Sequence, residues 1–470
     1  MRKELATVGY LPDERPVWWK LVLYAIQQVI VMFPATIAVA LITGFHISTT
    51  IFASGLATLG FILITGKKIP LYYGSSFSYL SAIIGIMAAE FVGERYAGVA
   101  DAGIRIAQFG IIMSGLVSIA AGFIARRFGR ESIEKLLPAT ITGPVAMVIG
   151  LTLATVAIND AIPTAIGHLG AVTVAESDTQ LALNLALLVS FVTIMSTIMF
   201  SIYLKGFLGQ LPLLFGPLVG VLTAFIVKWT TGIDLFRELS QTAGDYLAIA
   251  GPVGIPRFTL PIPTWEAVIA IMPIAIATIP ESTAHIFQLD VYVNDLARKK
   301  KSKKDYKLAD MLGMNLIGDG AADMISAAIG GPAGTNYGEN ISAMAITKVF
   351  SVPVLIGACI IAMVIACFTP LISAIFALPQ AVIGGIEMFM FGAIAAQGIA
   401  ILIDRKADMF SAKNIAVIAV IMMIGIGGQF AFGGNIPLFG IEVPCIAGAA
   451  IAGIVLNLLL SIGEKKRSEA

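Results

Sequence analysis

Twelve apolar stretches recur along this chain, at residues 19–44, 50–65, 103–124, 139–157, 180–203, 211–229, 264–287, 308–330, 352–377, 382–403, 414–431 and 442–462. Each is close to the ~20 residues that cross a bilayer as a helix. No water-soluble core could absorb so many. In hydrocarbon only helices and closed barrels satisfy every backbone group internally, so the pattern predicts an all-α polytopic membrane protein embedded in lipid. Charged residues make up 13% and hydrophobic residues 58% of the chain, against roughly 25% and 45–50% in soluble domains. The net charge is +1 and the basic residues sit in short clusters between apolar runs, a distribution that argues against a nucleic-acid partner. Cys359, Cys367 and Cys445 lie in apolar stretches without metal spacing, so no metal site, cofactor or disulfide framework is expected. Met1 to Lys20 is polar and lacks the short apolar core and cleavage site of a signal peptide, so the first apolar run is expected to remain as an anchor.

Two further segments, near 70–90 and 338–351, are apolar but interrupted by polar and glycine residues. Counting each as a discontinuous pass makes fourteen. Lys and Arg accumulate in cytoplasmic loops. Threading fourteen passes from a cytoplasmic N-terminus leaves only Arg95, Arg105, Lys228, Arg237 and Arg257 outside, with 25 of the 30 basic residues inside. Dropping either broken pass would invert every later loop and put the run Arg298–Lys307 or the cluster Lys465-Lys466-Arg467 on the wrong side. The expected location is therefore the inner (plasma) membrane, with both termini cytoplasmic. The 298–307 run reads as a solvated loop joining two halves.

Those halves repeat. Tyr73-Gly74-Ser75-Ser76-Phe77-Ser78 is echoed by Tyr337-Gly338-Glu339-Asn340-Ile341-Ser342, and Leu137-Pro138, Gly143 and Met147 by Leu378-Pro379, Gly384 and Met388, at offsets of 264 and 241 residues. With seven passes per half, an odd number, the second half enters from the opposite side, so the repeat is inverted. Paired broken segments in two inverted halves are the sequence mark of a solute transporter whose site lies near the midplane, where half-helix ends offer unpaired backbone groups.

A charge at membrane depth costs at least ~2.5–3.5 kcal/mol, so each ionisable residue there calls for a reason. Glu281 follows Pro280 and precedes His285 by one turn, and Glu339 begins the helix of the second broken segment. Asp319, Asp323 and Glu387 complete the set. Pro280 is expected to disrupt its helix and let Glu281 face a cavity. A carboxyl withdrawn from water gives up its proton less readily, which would let Glu281 couple proton movement to cargo. Pairing of Glu281 with His285 across one turn is the structural alternative. Gln27 and Gln28 are neutral polar groups at the depth of the first pass, fit to bond across helices or to line the site. Helix N-termini ordinarily attract anions, yet two glutamates set there would repel one. A neutral, planar, donor-rich molecule suits better: carboxylates accept its N–H groups, backbone N–H groups answer its carbonyls, and Phe77 or Tyr337 stacks on its ring.

The stretch Thr335-Asn336-Tyr337-Gly338-Glu339-Asn340-Ile341-Ser342-Ala343-Met344-Ala345-Ile346-Thr347-Lys348, with Lys67-Lys68-Ile69-Pro70 before Tyr73-Gly74-Ser75-Ser76-Phe77, resembles the signatures of the nucleobase-ascorbate transporter (nucleobase:cation symporter-2) family, and within it the bacterial uracil and xanthine permeases. The resemblance runs through nearly the whole chain. It implies a core of passes 1–4 and 8–11 (residues 1–135 and 263–377), a gate of passes 5–7 and 12–14 (136–262 and 378–470), and short antiparallel strands in passes 3 and 10. It places Glu281 and Glu339 on the polar edge of a base, Phe77 and Gly338 as backbone contacts, Tyr337 beside the ring, and His285 as the partner of Glu281. Asp319 resembles an acidic residue common before the signature, and Glu281, His285 and Asp319 together are the expected proton route. Two departures are Gln28, where the family commonly carries His, and Ser342, where it carries Gly; both positions are counted as cargo-contacting. The implied activity is proton-coupled import of a uracil- or xanthine-type base, with Na+ as the other candidate coupling ion, by a homodimer. The alternative is an anion transporter of the sulfate or bicarbonate type on the same fold. An enzyme is not expected, because no nucleophile-base pair or metal spacing is present.

Overall fold

A computed structural model describes residues 9–87, 99–129, 137–165, 169, 172, 176–205, 208–238, 251–438 and 441–468. Arg2, Lys3, Arg95, Arg130, Lys135 and the expected core–gate boundary at 135/136 lie outside the described residues. The first half contains α1 (Trp18–Thr43), α2 (Ile47–Ile64), β1 (Tyr73–Ser75), α3 (Leu80–Met87), α4 (Ala102–Phe128), α5 (Ala139–Thr152), α6 (Ala154–Ala161), α7 (Thr179–Tyr203) and α8 (Pro212–Thr231). The second contains α9 (Trp265–Ile271), α10 (Ala275–Lys299), α11 (Leu312–Ala328), β2 (Gly334–Asn336), α12 (Gly338–Thr347), α13 (Val352–Ala366), α14 (Thr369–Phe376), α15 (Gln380–Asp404), α16 (Ala412–Phe432), β3 (Asn435–Leu438), β4 (Ile441–Pro444) and α17 (Cys445–Ser468). Among the described residues nine helices are long and apolar enough to cross a membrane.

Every apolar stretch read from the sequence contains helix, but several boundaries differ, and residues 442–444 of the last stretch belong to strand β4. Pro280 does not break its helix: α10 runs through it to Lys299, and the interruption lies upstream in the tight turn Met272–Ile274. Proline removes one N–H and crowds the carbonyl four residues back, which for Pro280 lies in the first turn of α10, just after the Met272–Ile274 turn. The 352–377 stretch is broken between α13 and α14. There the Gly254 N–H donates to the Cys367 carbonyl at 2.9 Å and the Thr369 N–H to Pro252 at 3.3 Å, so the ends freed by the break are satisfied by a returning loop. The β3–β4 hairpin before α17 had no counterpart in the sequence reading.

Helices of the two halves interleave: α4 packs along α11, α2 along α13 and α11, and α5 along α15. Glycines set these seams. A Cβ on Gly122 would stand 2.7 Å from the Gly313 carbonyl, and one on Gly143 would stand 2.8 Å from that of Gly398. Small residues allow such backbone approach where lipid offers no hydrophobic driving force between helices.

Loops gather at two ends. At one, Asp101 binds Arg257 Nε at 2.9 Å and lies 3.2 Å from His46 Nε2, and Arg237 reaches the Leu378 carbonyl at 2.7 Å. At the other, residues 9–14 form a strap over the chain around Lys348 and the basic loop. The Tyr10 N–H donates to Lys348 O and the Phe350 N–H to Tyr10 O, both at 2.8 Å. Lys300 Nζ meets Glu14 at 2.5 Å and Lys304 Nζ meets Asp13 at 2.8 Å. The run 298–307 is thus partly neutralised by the N-terminal segment rather than wholly solvated. Slight burial pushes the Asp13 carboxyl up, but hydrogen bonds from Lys304 and Tyr306 outweigh it and hold the group below its usual value of 3.8. A depressed carboxyl contributes stability above its unfolded value and loses it as pH falls through the folded one. The Lys304–Asp13 contact is therefore expected to weaken as pH falls below the ordinary carboxylate range, while the backbone bonds at Tyr10 and the Lys300–Glu14 pair hold the strap in place. Asp13→Asn should leave the strap docked, seen as unchanged resistance near residue 14 to protease at neutral pH.

Candidate functional site

The two broken segments meet as antiparallel strands, with Tyr73 opposite Asn336, Gly74 opposite Thr335 and Ser75 opposite Gly334. The expected strands in passes 3 and 10 therefore pair with each other. Strand groups at this depth need partners that lipid cannot supply. Ser54 and Thr58 of α2 donate to the Tyr73 carbonyl, each at 2.9 Å, and Thr58 accepts the Tyr73 N–H at 3.0 Å. Asp323 of α11 accepts the Gly334 N–H at 2.8 Å and the Tyr73 hydroxyl. Asp323 thus has a structural task that the sequence left open.

Beyond each strand a helix begins, at Phe77 and at Gly338. Their first N–H groups have no partner within the helix and open on a cavity of about 1380 Å³. That exceeds the about 300–1,000 Å³ of an ordinary ligand pocket because the space is a vestibule. Its deep end is lined by Ser75, Phe77, Glu281, His285, Tyr337, Gly338, Glu339 and Ser342, and its mouth by Arg405, Lys413, Asn457 and Ser461. The facing wall is Thr140 and Thr142 of α5 with Phe389, Met390 and Gln397 of α15. Glu281, His285 and Glu339 are each partly exposed to this space. Among the described residues no hydrogen bond or ion pair joins Glu281 to His285. A Cβ on Gly338 would come 3.0 Å from His285 Nε2, so glycine there lets the α12 N-terminus approach the histidine.

Seven of the nine residues singled out from the sequence line this cavity; Gln28 and Asp319 do not. Gln28 is buried one layer back, its Oε1 and main-chain carbonyl accepting from Asn340 Nδ2 at 2.9 and 3.0 Å. It positions α12. Asp319 accepts from the Ser282 hydroxyl, and Asn315 and Asn336 reach Ser282 at 3.3 Å, so Asp319 stands one hydrogen bond from the residue next to Glu281. Tyr337 lines the space, but its ring is 3% exposed and covers Gly74. Its hydroxyl donates to the Ser75 carbonyl at 2.9 Å and lies 3.1 Å from the Thr36 hydroxyl. That ring is committed to the strand crossing, whereas Phe77 is partly exposed. Tyr337→Phe is expected to cost about 1–3 kcal/mol of stability, the penalty for a buried carbonyl losing its donor. Cargo affinity should change little; a melting curve and a ligand titration separate the two effects.

Thr140, Thr142, Gln288 and Gln397 line the cavity without having been expected there. The Leu137-Pro138 motif ahead of α5 was a signal for Thr140 and Thr142, because the start of that helix lines the cavity; nothing in the sequence marked Gln288 or Gln397. The arrangement can hold a small neutral solute between two carboxyls and two helix N-termini.

A family model described as "Permease family" matches residues 19–434. The chain is 34% identical over 455 residues to the uracil permease of Bacillus caldolyticus, covering 95% of this chain and 94% of the relative. It is 32% identical over 479 residues to the uracil permease of Bacillus subtilis (strain 168), covering 100% and 98%. In three dimensions it resembles the murine Solute Carrier 26 family member A9 anion transporter in the inward-facing state, with a TM-score of 0.63 and 14% identity over 96% of this chain and 69% of that one. The transmembrane domain of the cyanobacterial bicarbonate transporter BicA gives a TM-score of 0.57 at 14% identity, covering 95% and 98%. At such identity the two structures speak for the fold alone.

Proposed function

The chain belongs to this permease family, that of the nucleobase-ascorbate transporters, and from that premise we propose that it imports a nucleobase of the uracil or xanthine type together with a proton. It is a multi-pass membrane protein and a permease, not an enzyme. The observation that carries the cargo reading is that Glu281 and Glu339 line the deep end of one cavity into which helix N-terminal N–H donors also open. Carboxylates accept N–H groups and amide donors answer carbonyls. A base edge offers both, and the Phe77 ring lies ready for its face. Glu281 carries the coupled proton in this reading, with His285 beside it and Asp319 behind.

Fourteen passes fit the way the loops collect: residues 9–14 share one end with 300–306 and 348–352, while 46, 101 and 257 share the other. The cavity mouth at Arg405 and Lys413 then faces the cytoplasm. We take α1–α4 with α9–α14 as the core and α5–α8 with α15–α17 as the gate, since the cavity lies between these groups and rocking one against the other would expose it alternately.

The anion-transporter reading draws on the two solved folds, and the paired carboxyls oppose it. A thermal-shift series on purified protein with uracil, xanthine, uric acid, hypoxanthine and adenine separates the readings. A bound cargo stabilises by about 2.7 kcal/mol at a hundred times its Kd. Stabilisation by sulfate or bicarbonate, with none by any base, would overturn the proposal.

A further inference from the structure

Glu387 is an intramembrane carboxyl that the cargo cavity does not use. It lies two turns into α15, is 1% exposed, and neither of its oxygens has a hydrogen-bond partner. Both carboxyl groups of a facing pair are acceptors when ionised, and Glu387 meets the side chain of Asp160 near the end of α6. Gly384, one turn earlier on α15, has no side chain, which lets the Asp160–Ala161 backbone lie against the helix there.

The two acids are not placed alike. Asp160 is partly exposed and accepts from Gln380 Nε2 at 2.8 Å, and Gln380 Oε1 accepts from Arg237 Nη1 at 3.3 Å. Arg237 is anchored by its Nε on the Leu378 carbonyl at 2.7 Å. Burial draws its guanidinium down to about 10, which leaves it a full cation at neutral pH. Asp160 therefore has a donor and a counter-charge at one remove. Glu387 has neither, and an ionised carboxylate sealed from water without a donor is among the most costly groups a protein can bury.

Among the described residues no other charge is at hand. The helices packed on α15 here are α1, α5, α6, α7 and α8. Of these, α5 and α7 carry no charged residue, α6 carries only Asp160, and α1 only Lys20 near its N-terminus, by the opposite loop end. On α8, Lys228 is paired with Asp234 at 2.5 Å. Glu238, beside Arg237, is exposed.

We propose that Glu387 is a second proton-binding site, separate from the cargo cavity, which holds a proton and donates it in a hydrogen bond to ionised Asp160. The proton supplies the missing donor and leaves one negative charge on Asp160 against one positive charge on Arg237. The chain Arg237–Gln380–Asp160–Glu387 then closes a clasp joining α6, α15 and the loop after α8. All of these are gate elements, so the clasp stiffens the wall against which the core would move. Deprotonation would set two negative charges side by side and open it. The inference does not depend on the identity of the cargo.

The test uses full-length protein in nanodiscs. Infrared difference spectra on raising the pH should show loss of a protonated-carboxyl carbonyl band, absent in Glu387→Gln. The wild type should melt earlier as the pH becomes alkaline. Glu387→Gln, whose amide donates to Asp160 at any pH, should keep the neutral melting temperature and lose that alkaline fall. Glu387→Ala should melt roughly 2–4 °C lower at neutral pH. The proposal is overturned if the carboxyl band is missing from the wild type, or if Glu387→Gln melts as low as Glu387→Ala. A melting temperature raised by Na+ in the wild type but not in Glu387→Gln would also overturn it, since the pair would then hold a metal cation.

Discussion

Replacing Glu281 with Gln is expected to abolish accumulation of cargo against its gradient. Two losses coincide in that variant. A carboxylate accepting from a base N–H forms a charge-assisted hydrogen bond of about 1.5–3 kcal/mol, so affinity should fall roughly 10- to 150-fold. The amide also cannot exchange a proton, so under the proposed coupling a proton gradient has nothing to drive. Glu339→Gln removes the first contribution and leaves Glu281 in place, so it should weaken binding while preserving response to the gradient at saturating cargo. Uptake of radiolabelled base into proteoliposomes, with and without an imposed proton gradient, distinguishes the pair. Accumulation by the Glu281 variant equal to that of the wild type would remove this residue from the coupling role.

The second large effect is expected at the strand crossing. A Cβ on Gly74 would overlap the Tyr337 ring, and one on Gly334 would overlap the Tyr73 ring and come within 2.5 Å of the Gly74 carbonyl. Neither ring can swing away, because Tyr73 is held by Asp323 and Tyr337 by Ser75 and Thr36. Gly334→Val should therefore separate the strands and shift both helix N-termini that line the cavity, costing about 3 kcal/mol or more and eliminating uptake. Gly74→Ala should be milder and partly rescued by Tyr337→Ala, because the obstacle there is a side chain. Gly334→Ala should resist rescue by Tyr73→Ala, because a backbone carbonyl remains in the way. Melting temperatures of the singles and doubles give the coupling directly; equal rescue at both positions would refute the assignment of the obstacles.

These predictions mix what was readable in the chain with what was not. Hydrophobic run length is a local property governed by bilayer thickness, and helices lie in every stretch that it marked. The two Tyr-Gly segments were recognisable as broken because polar and glycine residues interrupt apolar runs of inadequate length. Glu281, His285 and Glu339 were nameable because an ionisable group at membrane depth is costly unless it has work to do, Phe77 because its ring suits a planar cargo, and Gly338 and Ser342 only through the family resemblance.

Which side chains reach the cavity was another matter, since that depends on the rotation of each helix against partners hundreds of residues away. Gln28 and Asp319 were equally plausible from the sequence, and packing set them one layer behind, holding Asn340 and Ser282. Tyr337 reads as a ring for stacking until β1 is laid beside β2, when it becomes the cover of Gly74. Pro280 marked an interruption that the chain instead took several residues earlier. Glu387 is the sharpest case: the sequence identified a buried acid on the helix after Pro379, and only tertiary packing brought Asp160, Gln380 and Arg237 to it. The sequence by itself determined a many-helix membrane protein with two broken segments and a short list of costly polar residues. The tertiary structure alone decided their partners, because partnership depends on distances between helices that no local pattern encodes.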